Sequence, residues 1–142
     1  MNILVIDGQG GHLGGQLIKA ILHHFKEARV MAVGTNAIAA ATMLKAGAHQ
    51  ASTGENPVVV ACRKADVIIG PIGIVIADAM FGEVTPKMAM AVAQADAVRI
   101  LLPVNKCDNL VAGVPDLSMS TLIEDTLAKL HGLEVAQDRK TC

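Results

Sequence analysis

Five glycines fall between Gly8 and Gly15, directly behind the aliphatic run Ile3-Leu4-Val5-Ile6 and directly ahead of an amphipathic stretch. An apolar run that ends in a glycine-rich loop and reopens as a helix is the pattern of a buried parallel strand feeding the first helix of a doubly wound sheet. Glycine lets the chain reverse tightly and brings bare backbone N–H groups to the helix amino terminus, where the helix dipole favours an anion. The same glycines also allow a strand and a helix simply to pack closely, which needs no ligand.

The rest of the chain continues the alternation. Leu13, Leu17, Ile18, Ile21, Leu22 and Phe25 recur at helical spacing, with Gln16, Lys19, His23 and Lys26 largely on the other side. Arg29 to Val33 is a second apolar run ending at Gly34, and Asn36 caps an alanine-rich helix that Gly47 stops. Asn56-Pro57 is expected to cap and open a short helix, although Val58-Val59-Val60 favours strand. Val67 to Ile69 is expected as a strand ending at Gly70-Pro71-Ile72-Gly73, Thr85-Pro86 as the start of a helix through Ala95, and Val98 to Val104 as a strand. Leu110 to Val114 is a candidate edge strand, and Ser120 to Leu130 a final helix. The fold class is therefore α/β, a doubly wound, mostly parallel sheet of five to six strands in a Rossmann-like three-layer sandwich. One domain is expected over residues 1–133, followed by a polar, frayed tail over 134–142.

Composition narrows the chemistry. At 142 residues there is no length for a second, substrate-binding domain. Hydrophobic residues make up 52%, yet Phe25 and Phe81 are the only aromatics, so the core is aliphatic. With no Tyr, catalysis by a tyrosine acid of the short-chain dehydrogenase kind is excluded. Twelve basic against thirteen acidic residues leave a net charge of −1, which offers no field for nucleic acid. The longest apolar stretch, Val67 to Ala77, holds two glycines and a proline and falls well short of the roughly 20 residues that span a bilayer. No membrane association is expected. The absence of a positive leader before the first strand, and three separated cysteines, fit a cytoplasmic protein. So much apolar surface on a small sheet predicts a homo-oligomer, a dimer or larger, through Asn36 to Ala46 and Pro86 to Ala95.

In open α/β sheets ligands bind beyond the carboxyl ends of the strands. Those ends carry Asp7-Gly8-Gln9-Gly10-Gly11-His12-Leu13-Gly14, Gly34-Thr35-Asn36, Thr53-Gly54-Glu55-Asn56, Gly70-Pro71-Ile72-Gly73 and Asn105-Lys106-Cys107. Spaced as Gly8-x-x-Gly11-x-x-Gly14, the first loop matches that of extended short-chain dehydrogenases and their non-catalytic relatives; spaced as Gly8-x-Gly10, it resembles the ordinary dinucleotide loop. The sequence argues against an ATPase-type phosphate loop, because Gly15-Gln16-Leu17 stands where Lys followed by Ser or Thr is needed. Asp7 reads as an organiser of the loop, with a ribose hydroxyl or a metal as alternative partners. Thr35 and Asn36 stand where a dinucleotide enzyme carries its ribose-binding acid, and suit a ribose, a 2′-phosphate or a plain helix cap. Glu55 offers a carboxylate to a ligand or belongs to a turn capped by Asn56. Gly70 to Gly73 resembles the stretch that passes a nicotinamide ribose, or is a tight turn. Cys107, beside Lys106, is the nucleophile candidate, against the commoner inert cysteine. His12 is a candidate phosphate contact or acid–base group. The cysteines and histidines show no metal-ligand spacing, and no metal is expected.

The strings Val5-Ile6-Asp7-Gly8-Gln9-Gly10-Gly11, Gly34-Thr35-Asn36-Ala37-Ile38-Ala39, Thr53-Gly54-Glu55-Asn56, Ile69-Gly70-Pro71-Ile72-Gly73 and Gly82-Glu83-Val84-Thr85-Pro86-Lys87-Met88 together resemble an uncharacterised family of small bacterial proteins, of the domain of unknown function 3842 type. The resemblance spans about Ile3 to Leu130 and implies a stand-alone bacterial protein, without implying an activity. The expected function is binding of a nucleotide, NAD(P) or another adenine nucleotide, through the glycine loop. The alternative is a non-catalytic regulatory module that senses a small phosphorylated ligand through oligomerisation. A Cys107-dependent transferase or hydrolase is a third class.

Overall fold

A computed structural model describes residues 1–104 and 108–140, the last four of these for their backbone alone. The elements are β1 (Asn2–Asp7), α1 (His12–His24), β2 (Arg29–Gly34), α2 (Ala37–Lys45), β3 (Gln50–Thr53), α3 (Glu55–Cys62), β4 (Val67–Pro71), a 3₁₀ turn (Ile72–Val75), α4 (Pro86–Gln94), β5 (Val98–Leu102) and α5 (Met119–Lys140). All five strands are parallel, in the order β3-β2-β1-β4-β5. The order reverses between β1 and β4, which places the glycine loop at the switch point of the sheet.

Strand alternation divides the core into two. Ile3 and Val5 of β1, Val30 and Ala32 of β2 and Val67 and Ile69 of β4 face Leu17, Ile18 and Ile21 of α1, Met43 of α2 and Leu122 and Leu130 of α5. Leu4 and Ile6, Met31 and Val33, and Ile68 face Val58 and Cys62 of α3 and Met88, Ala89 and Val92 of α4. β1 is thus buried on both faces, as its unbroken aliphatic run requires. Each fully buried Ile, Leu or Val contributes about 1.5–3 kcal/mol, so β1 and α1 together are the main anchor of the fold.

Local signals set the helix starts. Asn36 Oδ1 accepts the Ala39 N–H at 2.8 Å to cap α2, and Thr85 Oγ1 accepts the Met88 N–H at 3.1 Å to cap α4, with Pro86 in its first turn. α3 starts two residues earlier than expected: Gly54, at φ +102°, is its cap, and Asn56 and Pro57 lie inside its first turn. Asn56 therefore caps nothing.

The sheet also departs from expectation at its edges. β3 is an additional strand, short and polar because an edge strand exposes most of its side chains. Leu110 to Val114 forms no strand; it is irregular and turn-like, with Leu110 almost wholly exposed, so its apolar residues pack against no sheet. β5 ends at Leu102 rather than Val104. α5 starts at Met119 and continues to Lys140, through the segment expected to fray.

Between β4 and α4, residues 76–85 form a strap that crosses the carboxyl edge of the sheet. Asp78, Met80 and Phe81 hold φ values of +65°, +56° and +59°, and Gly82 holds +86°. Within the strap Met80 and Val84 are buried, while Phe81 is fully exposed at its tip.

Candidate functional site

The register aligns Asp7 with Gly34 and Gly34 with Thr53, so the loops after β1, β2 and β3 leave the sheet side by side. In the first of them Gln9 (φ +50°) and Gly11 (φ +74°) take the left-handed backbone that turns the chain into α1. Gly11 caps the helix without a side-chain bond, and no acid lies in the first turn.

Asp7 organises this loop. Its Oδ1 accepts the Gly8 N–H and its Oδ2 the Gly14 N–H, both at 2.8 Å. Burial pushes its carboxyl above the ordinary value, partly offset by the Gly14 and Gly8 N–H groups and by His12. Among the first-turn donors, Gly14 is therefore met by Asp7 and Gly15 by the Gly11 carbonyl at 2.9 Å. The N–H groups of Gly10, His12 and Leu13 donate to no acceptor among the described residues.

Several glycines are demanded by packing. A Cβ at Gly11 would lie 2.7 Å from Ala39 Cα, at Gly34 2.4 Å from Ala40 N, and at Gly70 2.4 Å from Ile6 O. Gly8 faces Met80 Sδ and Thr35 Oγ1, which a Cβ would meet at 2.5 and 2.6 Å. The strap thus roofs the start of the loop. Gly10 is different, because only the His12 ring lies near it, at 3.0 Å from such a Cβ.

The strap contributes a residue that the sequence reading did not single out as functional. Glu83 Oε1 accepts from Gln9 N at 3.0 Å, Thr35 Oγ1 at 2.8 Å and Asn36 Nδ2 at 2.5 Å. Burial alone would raise the Glu83 carboxyl, but the donors from Asn36, Gln9 and Thr35 outweigh it and hold the group below its ordinary value. Asn36 Nδ2 also donates to the Gln9 carbonyl at 2.9 Å, so Thr35 and Asn36 serve the cap and Glu83 rather than an open pocket. Two residues on, Thr85 Oγ1 donates to Glu55 Oε2 at 2.7 Å, which ties the strap to the start of α3. The one available signal for Glu83 was a charged residue between a glycine and the Thr-Pro cap of α4.

The structure thus gathers Asp7, Gln9, His12, Thr35, Asn36 and, through the strap, Glu55 at one edge. Pro71 and Gly73 are buried, with Pro71 closing β4 and Ile72 and Gly73 in the 3₁₀ turn. Cys107, with Asn105 and Lys106, lies outside the described residues. Cys62 is buried and its thiol is pushed up to about 11 by that burial, which leaves it a packing residue. Among the described residues no group of three or more His, Cys, Asp or Glu side chains is arranged to hold a metal, and no helix is long and apolar enough to cross a membrane.

A three-layer sandwich with parallel order β3-β2-β1-β4-β5 and a glycine loop at the head of its first helix defines a Rossmann-like α/β protein. The chain belongs to the family described as a domain of unknown function (DUF3842), whose model matches residues 2–134. No curated protein and no solved structure matches it.

Proposed function

We propose that the protein binds a nucleotide, NAD(P) or another adenine nucleotide, with a phosphate against the first turn of α1. The observation that carries this reading is the open helix start: Gly10, His12 and Leu13 offer N–H groups that meet no acceptor among the described residues, and the first turn of the helix contains no acid of its own. Helix starts of this kind stabilise anions through both the free donors and the helix dipole. One feature answers the objection that Asp7 would repel a phosphate: both of its carboxyl oxygens are taken up by loop N–H groups, Oδ1 by Gly8 and Oδ2 by Gly14. Isothermal titration with NAD⁺, NADP⁺, ADP and AMP tests the proposal; no heat and no thermal shift with any of them would sink it.

A second reading, a regulatory module acting through self-association in the cytoplasm, is favoured by the outer face of α2. There Ile38 is 71% and Leu44 53% exposed, an apolar stripe of the kind that marks contact surfaces. Light scattering with and without nucleotide tests it: a monomer under both conditions overturns it.

A further inference from the structure

The carboxyl end of β2 carries no acid of its own, yet an acid is held there. Thr35 and Asn36 fix Glu83 Oε1 with two side-chain donors, and Gln9 N–H supplies a third. One oxygen is thereby saturated, while Oε2 accepts no hydrogen bond from the described residues. Glu83 is partly buried and makes no ion pair with a Lys or Arg among them. A carboxylate in this state accepts from neutral hydroxyls and repels phosphate.

We infer that Glu83 sets the sugar specificity of the bound nucleotide: its Oε2 accepts from the vicinal diol of a ribose, and a nucleotide phosphorylated on that diol is rejected. In dinucleotide folds the diol-binding acid usually comes from the end of β2 itself, and an Arg there accommodates a 2′-phosphate. Here the end of β2 supplies two neutral donors, both already committed to Glu83. Asn36 has no N–H left for a 2′-phosphate, since its amide also donates to the Gln9 carbonyl and its Oδ1 accepts from Ala39. The acid is brought instead from the strap after β4, on the other side of the switch point. The ligand class is therefore a ribonucleotide whose ribose 2′,3′-diol is free of phosphate, such as NAD⁺ or ADP.

This inference rests on the nucleotide reading above, and titration of the full chain separates the two. Wild-type protein is titrated with NAD⁺ and NADP⁺, and with ADP and 2′-deoxy-ADP. NAD⁺ is expected to bind at least about ten-fold tighter than NADP⁺, and ADP about ten-fold tighter than its deoxy form, the size of one hydrogen bond to a charged group. Glu83→Gln is expected to bring each ratio to within about three-fold, with its fold checked by circular dichroism. Equal binding of NAD⁺ and NADP⁺, or of ADP and 2′-deoxy-ADP, overturns the inference and leaves the nucleotide reading standing. No binding of any of the four overturns both. The deoxy comparison needs no variant, so a misfolded Glu83→Gln does not protect the claim.

Discussion

The thioether of Met43 lies directly over the bare Cα of Gly14, so that a Cβ there would come 2.5 Å from Met43 Sδ and 2.9 Å from Asp7 Cβ. Met43 is fully buried and has nowhere to retreat. Gly14→Ala is therefore expected to cost about 1–3 kcal/mol through overpacking. One residue further along the same helix, a Cβ at Gly15 meets nothing closer than Thr42 Cγ2 at 3.4 Å. Gly15→Ala should be neutral or stabilise by up to about 1 kcal/mol through helix propensity. Urea denaturation of both variants checks the pair; a Gly14→Ala protein as stable as wild type would remove the packing role of that glycine.

Asp7 and Glu83 shift in opposite directions, so their variants should respond to pH with opposite signs. The Asp7 carboxyl is raised from its ordinary value of 3.8, which gives a contribution present below that value and lost as pH rises through the folded one. The Glu83 carboxyl is lowered from 4.5, which gives a contribution present above that value and lost as pH falls through the folded one. The stability gap between wild type and Asp7→Asn should therefore be wider at pH 3.5 than at pH 7. That between wild type and Glu83→Gln should be wider at pH 7, where the lost charged hydrogen bonds cost about 1–3 kcal/mol. Denaturation midpoints at both pH values decide it, and gaps that ignore pH would contradict the assignment.

Thr85 joins three elements through one hydroxyl, which accepts from Met88 N and donates to Glu55. Thr85→Ala should lose about 1–2 kcal/mol as the cap of α4 disappears, whereas Thr85→Ser should lose less than about 0.5 kcal/mol. Thermal melts of the two, side by side, are the check. If the alanine variant matches the serine one, the hydroxyl carries no weight.

Much of this fold was legible because its strongest elements are locally determined. The aliphatic run of β1, the helical spacing of α1, and the Asn36 and Thr85 caps each announce their structure within a few residues. β3 was illegible for a physical reason: as an exposed edge strand it has only Ala51 half-buried, so no hydrophobic pattern marks it. Leu110 to Val114 misled in the reverse sense, since an apolar run says nothing of whether a neighbouring strand has room to pair. At the site, the glycine loop and Asp7 were readable from their position behind β1. Glu83 was not, because it lies 74 residues from its partner Gln9 and only the tertiary path of the strap brings them together. The same separation hid the bond between Thr85 and Glu55.

Phe81 projects fully into solvent from the tip of the strap, two residues from Glu83. The chain has no Trp and no Tyr, so the protein is nearly dark in the near ultraviolet. A nucleotide carried through purification would therefore dominate its absorbance at 260 nm and be visible without any assay. Phe81→Trp, at a position with no packing to lose, would place a single fluorophore on the strap against an empty background. Its emission would then follow the strap alone as nucleotide is added.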